Sequence, residues 1–370
     1  MRKSFKYRLF INKTQETKLE SLFNAARFLY NCALEQRIIC WKQWSKSINY
    51  YDQANTLKEI RSFDKGIAQL NYSASQDILR RLDKAFQAFF RRIKIGDKPG
   101  FPRFKGRDRF NSITFPAYGD GIKLKNGKLY IQNVGTVRIK LHRNLEGKIK
   151  TVAIMRQNGH LYAAFSCDEV ETKPLEPCSD EIGIDVGIKS LAVLSNGEII
   201  DNPKHLKKSE EKLKEIQHQH SKNRTKNSRK KLSRLHAKVG NQRKDFLHKL
   251  SRKLVNRFGA IFVEDLKPKQ MVSGNYKVLN KYINDAAWSM FFNMLSYKAE
   301  EAGRKIIKVN PKNTTQRCSA CGKIVPKDLS IRAHVCSCGL NIDRDLNAAL
   351  NIFMLGHSIL DSSKEAVCFS

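Results

Sequence analysis

The chain has 370 residues, 41% of them hydrophobic, and sets 69 Lys and Arg against 35 Asp and Glu for a formal net charge of +34. That apolar content supports packed cores in about two to four domains, which excludes a basic disordered tail, and no apolar run approaches the roughly 20 residues that span a bilayer. The charge requires a polyanion, for which nucleic acid fits better than an anionic membrane surface.

Nothing at Met1-Arg2-Lys3-Ser4 resembles a secretory signal, so the expected setting is the reducing cytoplasm. Phe5, Tyr7, Leu9 and Ile11 alternate with polar residues, the period-two signature of a half-buried strand. A helical region follows, with Thr14 as candidate N-cap, Glu16 in the first turn, and Leu19, Leu22, Ala26, Leu29 and Ala33 at helical spacing. A second stripe runs through Leu79, Leu82, Phe86, Phe89, Phe90 and Ile93, beside Arg80, Lys84 and Arg91. Helical periodicity assigns those rings to a core, with base stacking as the alternative. Residues 111–167 change to short β-prone runs with hairpin signals at Asn126-Gly127 and Asn158-Gly159, which reads as a small barrel. If the opening strand joins that barrel, the helical block is an insertion.

Around residues 181–200 three strands follow one another, and alternation puts Ile182, Ile184 and Val186 on one face, with Gly183, Asp185 and Gly187 on the other. A carboxylate in an apolar strand needs a partner or a metal, and the flanking glycines leave room for an ion and a substrate backbone; a capped structural Asp is the alternative. A long basic helical segment over residues 207–257 has Leu232, Leu235, Val239, Phe246, Leu250 and Leu254 as its apolar stripe. Lys222, Arg224, Lys226, Arg229, Lys230 and Lys231 are all of one sign, which fits phosphate contacts better than a solvated face. Residues 260–265 read as a fourth strand ending in Glu264-Asp265, followed by a helix over 285–302 and a fifth strand over 305–309.

Cys318-Ser-Ala-Cys321 and Cys336-Ser-Cys338-Gly339 stand fourteen residues apart. Two close cysteine pairs on short turns can converge on one tetrahedral Zn²⁺, with a disulfide disfavoured in reducing cytosol. The second pair is C-x-C, a tighter arrangement than the first. Cys32, Cys40, Cys167, Cys178 and Cys368 are scattered and receive no chemistry. A last helix has Leu346, Ala349, Leu350 and Phe353 as its apolar face, with a polar tail over 361–370. The order βββαβαβ, insertion, α matches the ribonuclease-H-like arrangement, in which the first and fourth strands lie side by side and a helix N-terminus delivers a third acid. Asp185, Glu264 and Asp345 are therefore the expected ligands of two Mg²⁺ ions in phosphodiester hydrolysis. Asp343 competes for the third place but fits a helix N-cap.

Several segments together carry a specific resemblance: Arg27-Phe-Leu-Tyr-Asn31, Gly100-Phe-Pro-Arg-Phe-Lys105, Gly183-Ile-Asp-Val-Gly187, the run from Leu235 to His248, Val263-Glu-Asp-Leu266 and Asp343-Arg-Asp-Leu-Asn-Ala-Ala349. On these the chain resembles the TnpB family of insertion-sequence nucleases, relatives of the type V CRISPR effectors, over nearly its whole length. The resemblance implies a multidomain α+β protein: a wedge-like β-barrel (residues 1–15 and 110–179) interrupted by a helical recognition lobe (16–109), then a RuvC-like nuclease (180–311 and 343–360) with an inserted zinc ribbon (312–342). It also implies a guide RNA and a double-stranded DNA target cut beside a short flanking motif. Two other readings share the pattern: a nuclease-silent DNA-binding regulator, against which the three acids argue, and an unguided resolvase, which gives the barrel and lobe no role. No tyrosine or serine recombinase constellation is present.

Overall fold

The computed structural model describes residues 1–266, 280, 285–328 and 331–368, with side chains to residue 362. The chain forms two compact units, Met1–Glu171 and Thr172–Ser370.

In the first unit, β1 (Lys3–Phe10) leads into a helical block of α1 (Lys13–Trp44), α2 (Tyr50–Asn55), α3 (Leu57–Phe63), α4 (Lys65–Ala68) and α5 (Tyr72–Lys94). Six strands follow: β2 (Ser112–Phe115), β3 (Ile122–Lys125), β4 (Lys128–Ile131), β5 (Gly135–Lys140), β6 (Lys148–Gln157) and β7 (His160–Asp168). The sheet order is β2-β6-β7-β1-β5-β4-β3, so β1 sits at the centre, antiparallel to both neighbours, with Phe5 opposite Phe165 and Leu9 opposite Ile139. The helices are thus an insertion into a nearly closed sheet. Both predicted hairpins form, since Asn126, Gly127, Asn158 and Gly159 all adopt the positive φ that the two-residue turn requires. The inward residues Phe5, Tyr7, Leu9, Val152 and Phe165 share one continuous core with Leu22, Phe23, Leu34, Ile78 and Leu82 of the helices.

Two local expectations change. The cap of α1 is Asn12, not Thr14: its side chain accepts the Gln15 N–H, and the Gln15 side chain returns to the Asn12 backbone. The α5 stripe splits along its length. Ala74, Ile78, Leu79 and Leu82 are buried, whereas Phe86 and Phe89 are half-buried and Phe90 and Ile93 are 58% and 50% exposed, so the far half of that face is not core.

The second unit is built on a five-stranded sheet of β8 (Glu181–Val186), β9 (Ser190–Leu194), β10 (Ile199–Asp201), β11 (Ala260–Glu264) and β12 (Lys305–Val309), in the order β10-β9-β8-β11-β12. β8, β11 and β12 run parallel; β9 and β10 are antiparallel additions at the β8 edge. The basic segment is not one helix but α6 (His205–Lys208), α7 (Glu210–Lys222) and α8 (Lys226–Arg257), with the break at Asn223 and Thr225 caps the last of these. α9 (Trp288–Ala302) connects β11 to β12, and α10 (Arg344–Cys368) follows the cysteine segment, running helical where a tail was expected.

Parallel strands with helices on both faces bury both sets of side chains. Ile182, Ile184, Ile261 and Val263 pack with Leu254, Phe291 and Leu295 of α8 and α9. Ala260 and Phe262 pack with Ile352 and Leu360 of α10. The buried stripe of α10 is Asn347, Ala348, Ala349, Asn351 and Ile352, shifted round from the expected one; Leu346, Leu350 and Phe353 are half-buried. Gly183 owes its identity to this packing: a Cβ there would lie 2.4 Å from the Ala349 carbonyl oxygen and 2.6 Å from the Phe353 nitrogen. The space expected for an ion or substrate backbone is filled by helix α10.

Candidate active site and cysteine cluster

The parity of the sheet decides where the acids go. Asp185 shares its face with Gly183, and Glu264 shares its face with Ala260 and Phe262, so both project towards α10. The paired register Ile184 to Val263 puts them one step further along neighbouring parallel strands. Asp345 stands in the first turn of α10. Asp185 and Glu264 are buried, at 8% and 7% exposure, and the Asp345 side chain is 18% exposed.

Electrostatics tie the three together. Burial pushes the Asp185 carboxyl well above the usual range, and the charges of Glu264 and then Asp345 push it further, against a smaller pull from Arg344. Burial also raises Glu264, opposed by the Thr314 hydroxyl, which donates to Glu264 Oε1 at 2.5 Å. Asp345 takes the Arg344 guanidinium on Oδ1, from Nε at 3.1 Å and Nη2 at 3.0 Å, with Arg332 3.6 Å from Oδ2. Two buried carboxylates with a third close enough to press on Asp185 are costly without a counter-cation, and an all-carboxylate donor set suits Mg²⁺. The donor chemistry fits that ion, while the three carboxylates do not close to within 4.8 Å of one another. Asp343 Oδ1 instead accepts the backbone N–H groups of Asp345 (2.8 Å) and Leu346 (3.2 Å), as an N-cap does.

The four cysteines also meet. Their sulfurs lie within 4.8 Å of one another, and no other set of three or more candidate ligands does so among the described residues. Cys318 to Cys338 is 3.7 Å and Cys321 to Cys336 is 3.6 Å. Four ligands at ~2.3 Å from a tetrahedral Zn²⁺ stand about 3.8 Å apart, far beyond the ~2.05 Å of a disulfide, so the quartet fits the ion. The shorter C-x-C pair still closes, because each turn ends on a positive-φ glycine that returns a hydrogen bond: Gly322 N–H to the Cys318 carbonyl at 2.9 Å and Gly339 N–H to the Cys336 carbonyl at 3.0 Å. The Cys338 backbone N–H draws the Cys336 thiol down to about 6, while, against the Lys323 backbone N–H, burial and the neighbouring sulfurs push Cys321 up to about 11, so four thiolates together require a cation among them. The strands β13 (Ala333–Val335) and β14 (Asn341–Asp343) carry the second turn into α10.

A third feature lies within the first unit. The exposed half of α5 faces α1, α2 and the following loop across a groove of about 1160 Å³, whose walls include Trp41, Tyr50, Phe86, Phe89, Phe90 and Phe101. Cations sit on its rings, with Arg37 5.0 Å from the Phe86 centroid and Arg80 5.1 Å from that of Tyr50.

Sequence reading passed over Thr314, which donates to Glu264, and Asn351, which holds the Thr314 carbonyl; Arg344 and Asn347 were visible only as part of a motif.

The mixed sheet, the cysteine quartet and the nearly closed antiparallel sheet in one chain describe a multidomain α+β protein. One such structure, of the mini-RNA-guided endonuclease CRISPR-Cas phi3, matches with a TM-score of 0.50 over 96% of this chain and 92% of that one at 10% identity, a likeness of fold. Family models match residues 1–46 (helix-turn-helix domain of the IS605 OrfB type), 164–274 (the IS605 OrfB model, described as a probable transposase) and 288–352 (Cas12f1-like TNB domain). A Streptomyces pristinaespiralis protein provisionally named an RNA-guided DNA endonuclease is 31% identical, with 96% of this chain and 90% of that protein covered. InsQ of Escherichia coli K12, named in the same provisional way, is 29% identical over 96% of this chain and 93% of its own length. The chain belongs to the TnpB family of insertion-sequence-encoded RNA-guided nucleases.

Proposed function

We propose that this protein is an RNA-guided DNA endonuclease: a guide RNA pairs with one strand of double-stranded DNA beside a short flanking motif, and a RuvC-like site hydrolyses the phosphodiester. The observation that carries the reading is the pressure that Glu264 and Asp345 put on the buried Asp185, three acids supplied by two neighbouring strands and a helix. In a protein of net charge +34, two acids buried side by side with no cationic side chain on either among the described residues are a costly feature with a use. Two bound Mg²⁺ would supply an activated water and charge neutralisation at the leaving oxygen. The three carboxylates would hold that pair, and Arg344 would balance the cluster between turnovers. Helix α10 packed on Gly183 keeps the third acid in register with the first.

In this reading the cysteine quartet holds a structural Zn²⁺ in an inserted ribbon, and residues 1–15 with 110–179 form the wedge. The helical block over 16–109 is the recognition lobe, whose aromatic groove stacks nucleic-acid bases. The protein acts in the cytoplasm, on the prokaryotic nucleoid. Sequence choice has to come from base pairing, because phosphate contacts made by surface Lys and Arg carry none.

The test replaces the guide segment while keeping the RNA scaffold, then maps cuts on a plasmid library. Cleavage should follow the new guide beside one fixed motif, and Asp185→Ala, Glu264→Ala or Asp345→Ala should each abolish it with DNA binding retained. Cuts that stay in place, or that form equally without RNA, mark an unguided nuclease.

A further inference from the structure

The loop between β12 and the first cysteine turn is fastened to α10 by two buried side-chain amides. Asn347 and Asn351 are 0% and 1% exposed. The Asn347 Nδ2 donates to the Arg317 carbonyl at 2.8 Å, and its Oδ1 accepts the Ser319 N–H at 3.0 Å, so one amide grips the backbone on both sides of Cys318. The Asn351 Nδ2 donates to the same Arg317 carbonyl at 2.7 Å and to the Thr314 carbonyl at 2.8 Å. Thr314, itself only 3% exposed, points its hydroxyl at Glu264. A continuous set of contacts therefore runs from the backbone flanking Cys318, through two amides of the helix whose first turn holds Asp345, to Thr314 and from its hydroxyl to the carboxylate of Glu264.

A buried amide whose only task is to satisfy backbone carbonyls has no need to link these three places. We propose that Thr314, held by Asn351 and Asn347, is a positioning residue for cleavage: its hydroxyl sets the rotamer of Glu264 relative to Asp345, and the folded cysteine turn is what keeps Thr314 in place. This rests on the reading of Asp185, Glu264 and Asp345 as the metal-binding acids. A carboxylate free to rotate loses ligand geometry for a hard cation, and partners of metal ligands typically matter by about 10- to 100-fold in metal affinity or rate.

The experiment uses the full-length protein with its RNA and compares Thr314→Val, Thr314→Ser and Glu264→Gln. Valine keeps the shape of threonine without the hydroxyl; serine keeps the hydroxyl. Five quantities are read: Mn²⁺ affinity by calorimetric titration in the absence of DNA, the Mg²⁺ concentration that half-saturates cleavage, Tm, zinc content, and affinity for guide-matched DNA. Thr314→Val should weaken Mn²⁺ binding and raise the half-saturating Mg²⁺ by about tenfold or more. Zinc content and DNA affinity should be unchanged, and Thr314→Ser should stay within about twofold of the parent. A merely structural role would lower Tm and leave both metal readouts alone, which overturns the proposal. If Glu264→Gln is inactive while Thr314→Val matches the parent, this inference fails and the acid assignment stands; if Glu264→Gln cleaves normally, the acid assignment fails and takes this inference with it. Should Thr314→Val lose its zinc, Thr314→Ala replaces it and has to show the same metal defect that serine rescues.

Discussion

At the residue scale, Asp185 shows how a functional group works against the fold that holds it. Burial and its acidic neighbours hold its carboxyl pKa well above the ordinary value, and burial raises that of Glu264, so ionising either acid costs the metal-free fold. The sign follows directly. A carboxyl whose folded pKa exceeds its unfolded one favours the native state at low pH, and that contribution is lost as pH climbs from the ordinary carboxylate range of about 4 through the raised folded values. In chelator at neutral pH, Asp185→Asn should therefore melt a few degrees higher than the parent, since ~1 kcal/mol is worth roughly 2–4 °C in a unit of this size. The gap should close as pH approaches about 4, and added Mg²⁺ should stabilise the parent more than the variant. The same substitution should abolish cleavage, a trade of function for stability. Equal melting curves across that range would remove the claim that these acids strain the metal-free fold. Asp343 makes the contrast: two residues from Asp345, it spends its oxygen on two backbone N–H groups, so its charge is already compensated.

At the scale of elements, what could be read from sequence was what depends on local pattern. The alternation in β1, the Asn-Gly turns, the strand order around Asp185 and Glu264, and the two cysteine turns all rest on chemistry confined to a few neighbours. Asn12 was equally legible, because Asn-x-x-Gln is a capping-box spelling that Thr14 obscured. The role of Gly183 was not, since only the approach of α10, some 165 positions later in the chain, reveals what the missing Cβ makes room for. The α5 stripe failed for a related reason: periodicity identifies an apolar face but not whether a partner covers its whole length. Its uncovered half opens the groove of Trp41, Phe86, Phe90 and Phe101, where rings and cations alternate as single-stranded nucleic-acid platforms require. Trp41→Ala and Phe90→Ala should each weaken binding of the RNA-loaded protein to guide-matched DNA, or of the protein to its RNA, by about 1–3 kcal/mol per lost stacking contact. Neither ring is core, at 61% and 58% exposure, so Tm should move little. Unchanged affinities for both nucleic acids would assign the groove to something other than bases.

At the scale of the molecule, the +34 charge sets how the protein meets nucleic acid before any base is read. Each phosphate that a Lys or Arg neutralises releases condensed counterions, so binding of the RNA-free protein to arbitrary duplex DNA should fall steeply with salt and be indifferent to sequence. The exposed run Lys222, Arg224, Lys226, Arg229, Lys230 and Lys231 at the break between α7 and α8 belongs to that surface. A guide RNA changes the balance, because its phosphates occupy the basic surface and leave fewer cations for DNA. The RNA-loaded protein should therefore show a shallower slope of log K against log salt on unmatched duplex than the RNA-free protein. On guide-matched duplex its affinity should exceed the unmatched value by a factor that salt changes little, since base pairing rather than counterion release supplies the difference. Titrations of both forms from about 50 to 200 mM salt measure both quantities. Identical slopes with and without RNA would mean that RNA and DNA occupy separate basic surfaces, and a matched-site advantage that vanishes with salt would mean that recognition is electrostatic and unguided.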